Sequence, residues 1–293
     1  MTLGRVALPT FFSEYQSQVA RAIDAILPPP AEEPRAIHET MRYTALAESK
    51  RVRAVLAMLS AELCGRAASA LPVAAAVELV HAASLILDDL PSMDDAPLRR
   101  GRETNHLVFG EAIAILAAFE LLNLAYDTVA ASYPGEQGRA LARLLADAIG
   151  SDGLIGGQAE DLLATDQQIS FDTLERIHRR KTGALFGAAA KGGAITSGAS
   201  SDQITAVAAY AKNLGLAFQI IDDLLDVEGD PAITGKAHRL DARKTTFVSF
   251  SGPDGARQLA AELCATADAA LEPFGRRGDR LRELSAFVAE RRL

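Results

Sequence analysis

Asp222 and Asp226 stand four residues apart in Gln219-Ile220-Ile221-Asp222-Asp223-Leu224-Leu225-Asp226. On a helix that spacing stacks two carboxylates on one face. Bare, they repel by about 1 kcal/mol in water and roughly 4 kcal/mol in a protein-like medium. The theme recurs upstream in Leu85-Ile86-Leu87-Asp88-Asp89-Leu90-Pro91-Ser92-Met93-Asp94-Asp95, followed by Leu98-Arg99-Arg100-Gly101. A chain that repeats this arrangement calls for a neutralising cation. Oxygen-only donors suit a hard ion such as magnesium, bound by few protein groups and completed by water and phosphate oxygens. Arg99 and Arg100 are what a polyphosphate needs beside those acids. A lone aspartate pair reads as a helix cap or a solvated face; two clusters with adjacent arginines change that balance. An EF-hand is excluded, because the alternating aspartates, loop glycine and distal glutamate are absent.

The elements that must position these groups are helical. Half the chain is hydrophobic (49%), aromatics are only 5% and Trp is absent, so alanine- and leucine-rich helices are expected rather than a sheet. The 293 residues suffice for one large all-α domain spanning 1–293. A net charge of -8 is the wrong sign for a nucleic-acid surface. Cys64 and Cys264 are single and far apart, so neither a zinc site nor a disulfide framework is indicated, and a reduced, cytoplasmic setting is expected. The start of the chain is a poor signal peptide. The apolar run Leu71 to Leu87 is interrupted by Glu78 and His81, so it reads as a buried helix and not a membrane span.

Phe11, Tyr15, Val19, Ile23 and Ile26 predict a first helix, stopped by Pro28-Pro29-Pro30. A second runs through Ile37 and Met41 to about Leu46. Glu48-Ser49-Lys50-Arg51-Val52-Arg53-Ala54 opens a third, ending near Cys64-Gly65. Lys50 and Arg53 share a face and offer two donors to one anion; alone, the segment reads as a solvated basic turn. His81 lies two turns before Asp88, and a lone buried histidine is usually a satisfied core residue. Pro91 should distort the helix end and let Asp94 turn back toward Asp88. One long helix is expected from His106 to Tyr133, carrying Phe109, Ile113, Leu116 and Leu121 inward. The glycines from Gly150 to Gly157 predict flexible joints or close helix packing. Arg179 to Lys181 reads as a surface charge run opening another helix. Leu259 to Leu271 and Leu281 to Val288 look like peripheral amphipathic helices.

The stretch from His81 to Gly101 resembles the first aspartate-rich motif, DDxxxxD, of the trans-prenyl diphosphate synthases. Gly215-Leu216-Ala217-Phe218-Gln219-Ile220-Ile221-Asp222-Asp223-Leu224-Leu225-Asp226, with Gly235-Lys236 after it, resembles their second motif. The resemblance runs from about Lys50 to the C-terminus. It implies an isoprenoid-synthase helical bundle around a deep central cavity, and Mg2+ held by Asp88, Asp94, Asp222 and Asp226. It implies that an allylic diphosphate (dimethylallyl, geranyl or farnesyl) lies on Arg99 and Lys181, with Lys236 and Lys244 as further ligands of its phosphates or as gate residues. Isopentenyl diphosphate is implied on Lys50, Arg53, His81 and Arg100. Thr182 and Gln219 would face the reacting carbons, and a homodimer is the family's common state. Gly156-Gly157-Gln158-Ala159-Glu160-Asp161 resembles the family's Gly-Gln-x-x-Asp region, where Asp161 reads as a metal-facing acid or a helix cap. The family pattern Gly-Gly-Lys-Arg-x-Arg-Pro is altered here, Glu48, Ser49 and Ala54 replacing its glycines and proline. Ala118-Phe119-Glu120 stands for a common Ala-Gly-Asp, and Arg243 for a glycine before Lys244.

The reaction implied is head-to-tail prenyl transfer. Ala83 and Ser84 sit about 6 to 7.5 Å below Asp88 on a helix, where the resemblance makes residue size set product length. Both are small, which favours geranylgeranyl over farnesyl diphosphate; helix geometry leaves open which of them forms the floor. A class I terpene cyclase and a regulatory subunit of a prenyl synthase are the rival readings. The second motif is not of the cyclase type, and a regulatory subunit tends to lose one motif.

Overall fold

The computed structural model describes residues 10–228 and 244–290. Lys236 lies outside them, as do Gly235 and Arg243.

Helices dominate, as the composition predicts. The first three are α1 (Thr10–Ile26), α2 (Arg35–Ala45) and α3 (Val52–Cys64). Then come α4 (Leu71–Asp88), α5 (Asn105–Phe109), α6 (Glu111–Ser132), α7 (Gly135–Ile149) and α8 (Leu154–Leu163). The rest are α9 (Phe171–His178), α10 (Ala184–Thr196), α11 (Ser201–Glu228), α12 (Phe247–Ala269) and α13 (Asp279–Ala289). A two-stranded antiparallel hairpin, β1 (Leu98–Arg99) and β2 (Arg102–Glu103), links α4 to α5.

Packing follows from where the small residues fall. α4 packs along α6, α3 along α10 and α11 along α12. The α3–α10 approach needs Gly193, where a Cβ would come within 2.0 Å of the Ala57 carbonyl oxygen. On α6, Ala114, Ala117, Ala118, Leu121 and Ala125 are buried, and this alanine stripe lets the helix lie close. Leu116 (50% exposed) and Phe119 (62%) therefore point outward, contrary to the inward placing expected for Leu116. The single helix expected from His106 to Tyr133 is two, divided at Gly110, whose φ of 84° lies outside helical space.

By length and composition Ala67–Asp88, Glu111–Ser132 and Ser201–Glu228 could each cross a membrane. Glu78 and His81 thus do not disqualify the first of them, which corrects that step of the sequence argument. In this fold 67% of its most apolar window is buried inside the protein. The last helix is amphipathic, as expected, with Glu283 and Ala286 outward. Leu281, Leu284 and Val288 are buried, and Tyr210 on α11 donates its hydroxyl to the Leu281 carbonyl at 2.6 Å.

Candidate active site

α4 ends at Asp88, with Asp89 as its C-cap, and Pro91 keeps the helix from continuing. The chain turns back so that the Asp94 backbone N–H donates to the Asp88 carbonyl at 2.9 Å. Both side chains then line one cleft. Asp89 points elsewhere: it is buried and accepts from Arg99 Nε at 2.9 and 3.2 Å. Burial pushes the Asp88 carboxyl above the ordinary carboxylate range, with Lys181 the strongest opposing charge.

α11 reaches the same cleft from another wall. Asp222 and Asp226 line it, one turn apart, as does Gln219. Asp223, 3% exposed, also borders the cleft, but its carboxylate is taken up by neighbouring donors. Its carboxylate accepts from Gln219 Nε2 at 3.0 Å and from the Phe247 backbone N–H at 3.0 Å. With the amide nitrogen so held, Gln219 Oε1 accepts from the Thr182 hydroxyl at 2.8 Å.

Thr182 and Lys181 are carried by a π-helical turn, Arg179–Gly183, set between α9 and α10. Such turns recur at functional sites. The glycine-rich stretch before it acts by close packing: a Cβ on Gly157 would lie 2.2 Å from the Lys181 backbone nitrogen. That approach seats Lys181 Nζ 2.7 Å from Asp161 Oδ2. Asp161 lies within α8, so it is not a helix cap. Lys244 donates at 3.0 Å to Asp161 and at 3.0 Å to Asp94. Burial alone would raise the Asp161 carboxyl, but the two ammonium groups outweigh it and hold its pKa at about 2. Both lysines are in turn raised despite their own burial.

At the other end of the cleft, Arg53 Nη1 lies 3.4 Å from His81 Nε2, with its guanidinium 4.8 Å from the Phe186 ring centre. Burial, then the charges of Arg53, Arg100, Arg99 and Arg51, push the His81 imidazole well below its usual value. The cavity, about 190 Å3, also touches Arg99, Ser84, Leu85, Leu154 and Leu185.

Three expected residues stand off this lining. Lys50 Nζ sits 5.6 Å above the Phe287 ring. Arg100 occupies the hairpin turn with φ 54° and an exposed side chain. Ala83 is fully buried in the helix packing, whereas Ser84 borders the cleft. Residues not singled out from sequence also belong to the cleft. Gln158 is one; its Oε1 is buried and has no hydrogen-bond partner among the described residues. His178 is another. Asp89 and Asp223 were legible only as neighbours of the acids they support.

The donor set suits a hard cation: four carboxylates and no sulfur. Among the described residues no three His, Cys, Asp or Glu side chains converge on one point. An ion here must therefore take other oxygens from water or substrate.

The model of the polyprenyl synthetase family matches residues 34–252. The chain belongs to that family. As a polyprenyl synthetase it is a prenyltransferase that lengthens prenyl chains, and its helical bundle is the isoprenoid-synthase fold. It is similar to a dimethylallyltranstransferase of Fischerella ambigua, 38% identical over 99% of this chain and 86% of that one. It is also similar to a chloroplastic geranylgeranyl pyrophosphate synthase of Catharanthus roseus, 41% identical over 86% of this chain and 71% of the relative. Among solved structures, the synthetase superposes on an apo FPP/GFPP synthase from Zymomonas mobilis with a TM-score of 0.86. That match is 36% identical and covers 95% and 98% of the two chains.

Proposed function

We propose that this polyprenyl synthetase, acting as one unit over 1–293, condenses isopentenyl diphosphate head to tail with an allylic diphosphate to form geranylgeranyl diphosphate. The observation that carries the proposal is that Asp88 and Asp94 border the same cleft as Asp222 and Asp226, with Lys181, Lys244 and Arg99 also bordering it. Asp88, Asp94, Asp222 and Asp226 would hold Mg2+, which when bound supplies positive charge to the departing pyrophosphate.

The protein's own groups do the rest. Lys181, Lys244 and Arg99, with Lys236 from outside the described residues, bind the allylic diphosphate and stabilise the charge that develops as it leaves. The Thr182 hydroxyl is committed as donor to Gln219. Its oxygen lone pairs and the Gln219 carbonyl therefore offer partial negative charge to an allylic cation. Lys50, Arg53, His81 and Arg100 hold isopentenyl diphosphate so that its double bond lies within reach of that cation. A neutral His81 cannot repel the cation, and its low basicity leaves the final proton to the pyrophosphate. The hydrocarbon tail extends past Ser84, where a small side chain leaves room for a twenty-carbon product.

A second copy of the chain is the proposed cover for the outward face of α5 and α6, where Leu107 (53% exposed), Leu116 and Phe119 (62%) are apolar. The test of the whole reading is mass analysis of products from isopentenyl diphosphate and each allylic starter in magnesium buffer. A twenty-carbon diphosphate is expected. A fifteen-carbon end product would make it a farnesyl diphosphate synthase, and a released hydrocarbon a cyclase. Activity regained only with a partner protein would make it a regulatory subunit.

A further inference from the structure

The N-terminus of α3 carries Lys50 and Arg53, and its capping is unusual. Arg51 occupies the N-cap position in the left-handed region, φ 47° and ψ 40°, and no side chain of the segment caps the helix. An arginine has no acceptor to offer the free N–H groups of the first turn. The acceptor comes from another helix. Glu78, buried on α4, takes the Ala54 backbone N–H on Oε1 at 3.2 Å. Its Oε2 lies 3.8 Å from Arg51 Nη1. Arg51 also donates to the Ala45 carbonyl at 3.0 Å, and Gln16 on α1 holds the Ser49 carbonyl. Glu78 is furthermore within electrostatic reach of Arg100.

One buried carboxylate thus caps α3, pairs with the arginine that occupies the left-handed N-cap, and lies within electrostatic reach of Arg100. A negative charge at a helix start is favourable in itself. The bond to residue 54 exists because that residue is not proline. Proline, which stands there in the pattern this loop resembles, has no N–H to donate.

We propose that Glu78 is a positioning residue for the isopentenyl diphosphate half of the site, setting the α3 start so that Lys50 and Arg53 present their cations to one diphosphate. Glu78 does not touch substrate; it acts through the Ala54 N–H and Arg51. The inference rests on the assignment of Lys50 and Arg53 to isopentenyl diphosphate.

The experiment is steady-state kinetics of the full chain with each substrate varied separately. Glu78→Gln keeps the acceptor oxygen and removes the charge; Ala54→Pro keeps the charge and removes the donor. Each is expected to raise KM for isopentenyl diphosphate by about tenfold, the first by taking the charge from the contact and the second by taking its donor, with the allylic KM within about twofold of wild type. The double variant should cost no more than the larger single change, because both act on one contact. A merely structural role would lower the active fraction and leave both KM values alone, and that result overturns the proposal. So does an additive double variant. Should Glu78→Gln fail to fold, Ala54→Pro decides alone, since proline is tolerated in a first helical turn. Lys50→Ala and Arg53→Ala serve as separate controls. If they raise the allylic KM instead, the underlying assignment falls whatever Glu78 does.

Discussion

Lys244 reaches Asp94 across 150 residues of chain, its Nζ 3.0 Å from Asp94 Oδ1, and so puts a protein cation on a carboxylate of the first aspartate cluster. The same ammonium binds Asp161, which Lys181 also holds. In the substrate-free protein, lysines thus balance part of the acid charge that gathers in the cleft.

Replacing Lys244 should act twice. Lys244→Ala is expected to lower kcat/KM for the allylic diphosphate by about 10- to 100-fold, as loss of a charged contact to phosphate does. It should also tighten binding of divalent ions by substrate-free protein, because Asp94 loses a competitor. Calorimetric titration with magnesium, without substrate, checks the second effect; weaker binding than wild type would refute it.

Asp88→Ala should reduce turnover by about 1,000-fold or more while leaving helical circular dichroism unchanged. Chelation of divalent ions should do the same to wild type, and added magnesium should reverse it. Substantial activity in either case removes the argument from the four carboxylates.

Size at the cleft wall should set product length at Ser84 more than at Ala83. Ser84→Phe is expected to shorten the main product by at least one five-carbon unit with turnover retained, read by mass spectrometry. Ala83 has no exposed surface. Ala83→Phe should therefore overpack the bundle and cost about 1–3 kcal/mol of stability, seen as a lower melting temperature.

Asp223→Ala should lower kcat with little change in either KM. It frees the Gln219 amide to rotate away from Thr182 and leaves the Phe247 N–H without this acceptor. A rise in the allylic KM alone would mean that Asp223 supports binding and not the reacting centre.

His81 should mark the pH dependence of stability. Its folded pKa lies well below 6.5, so the unfolded chain binds the extra proton as the solution is acidified. Stability is then full above about pH 6.5 and declines below it, by at most about 1.4 kcal/mol per pH unit for this one group. His81→Asn should flatten the slope of melting temperature between about pH 5 and 6.5; an unchanged slope would place the titration elsewhere.

The helical class was legible because alanine and leucine dominate the composition while aromatics are few. The two aspartate clusters were legible because stacked carboxylates are costly without a purpose. What escaped depends on contacts between distant parts of the chain. Asp223 looks identical to Asp222 in sequence, yet a step of one residue turns it about 100° around the helix, where the Phe247 N–H and the Gln219 amide take up its carboxylate at the cleft border. Lys181 sits in a run of three basic residues that by charge alone reads as surface; the resemblance places it on the allylic diphosphate, and Gly157, pressed against its backbone, is the packing reason it lies inside. The break at Gly110 was hidden because apolar residues continue on both sides of it.

The π turn at Arg179–Gly183 holds one residue more than an ordinary helical winding would. Delete that residue and the two flanking segments would be rotated by roughly 100° against each other. α10 could keep its oily side toward α3, or Lys181 its charge toward the acids, but not both. A single insertion thus lets one continuous rod serve two masters, which explains why its length there should tolerate no drift.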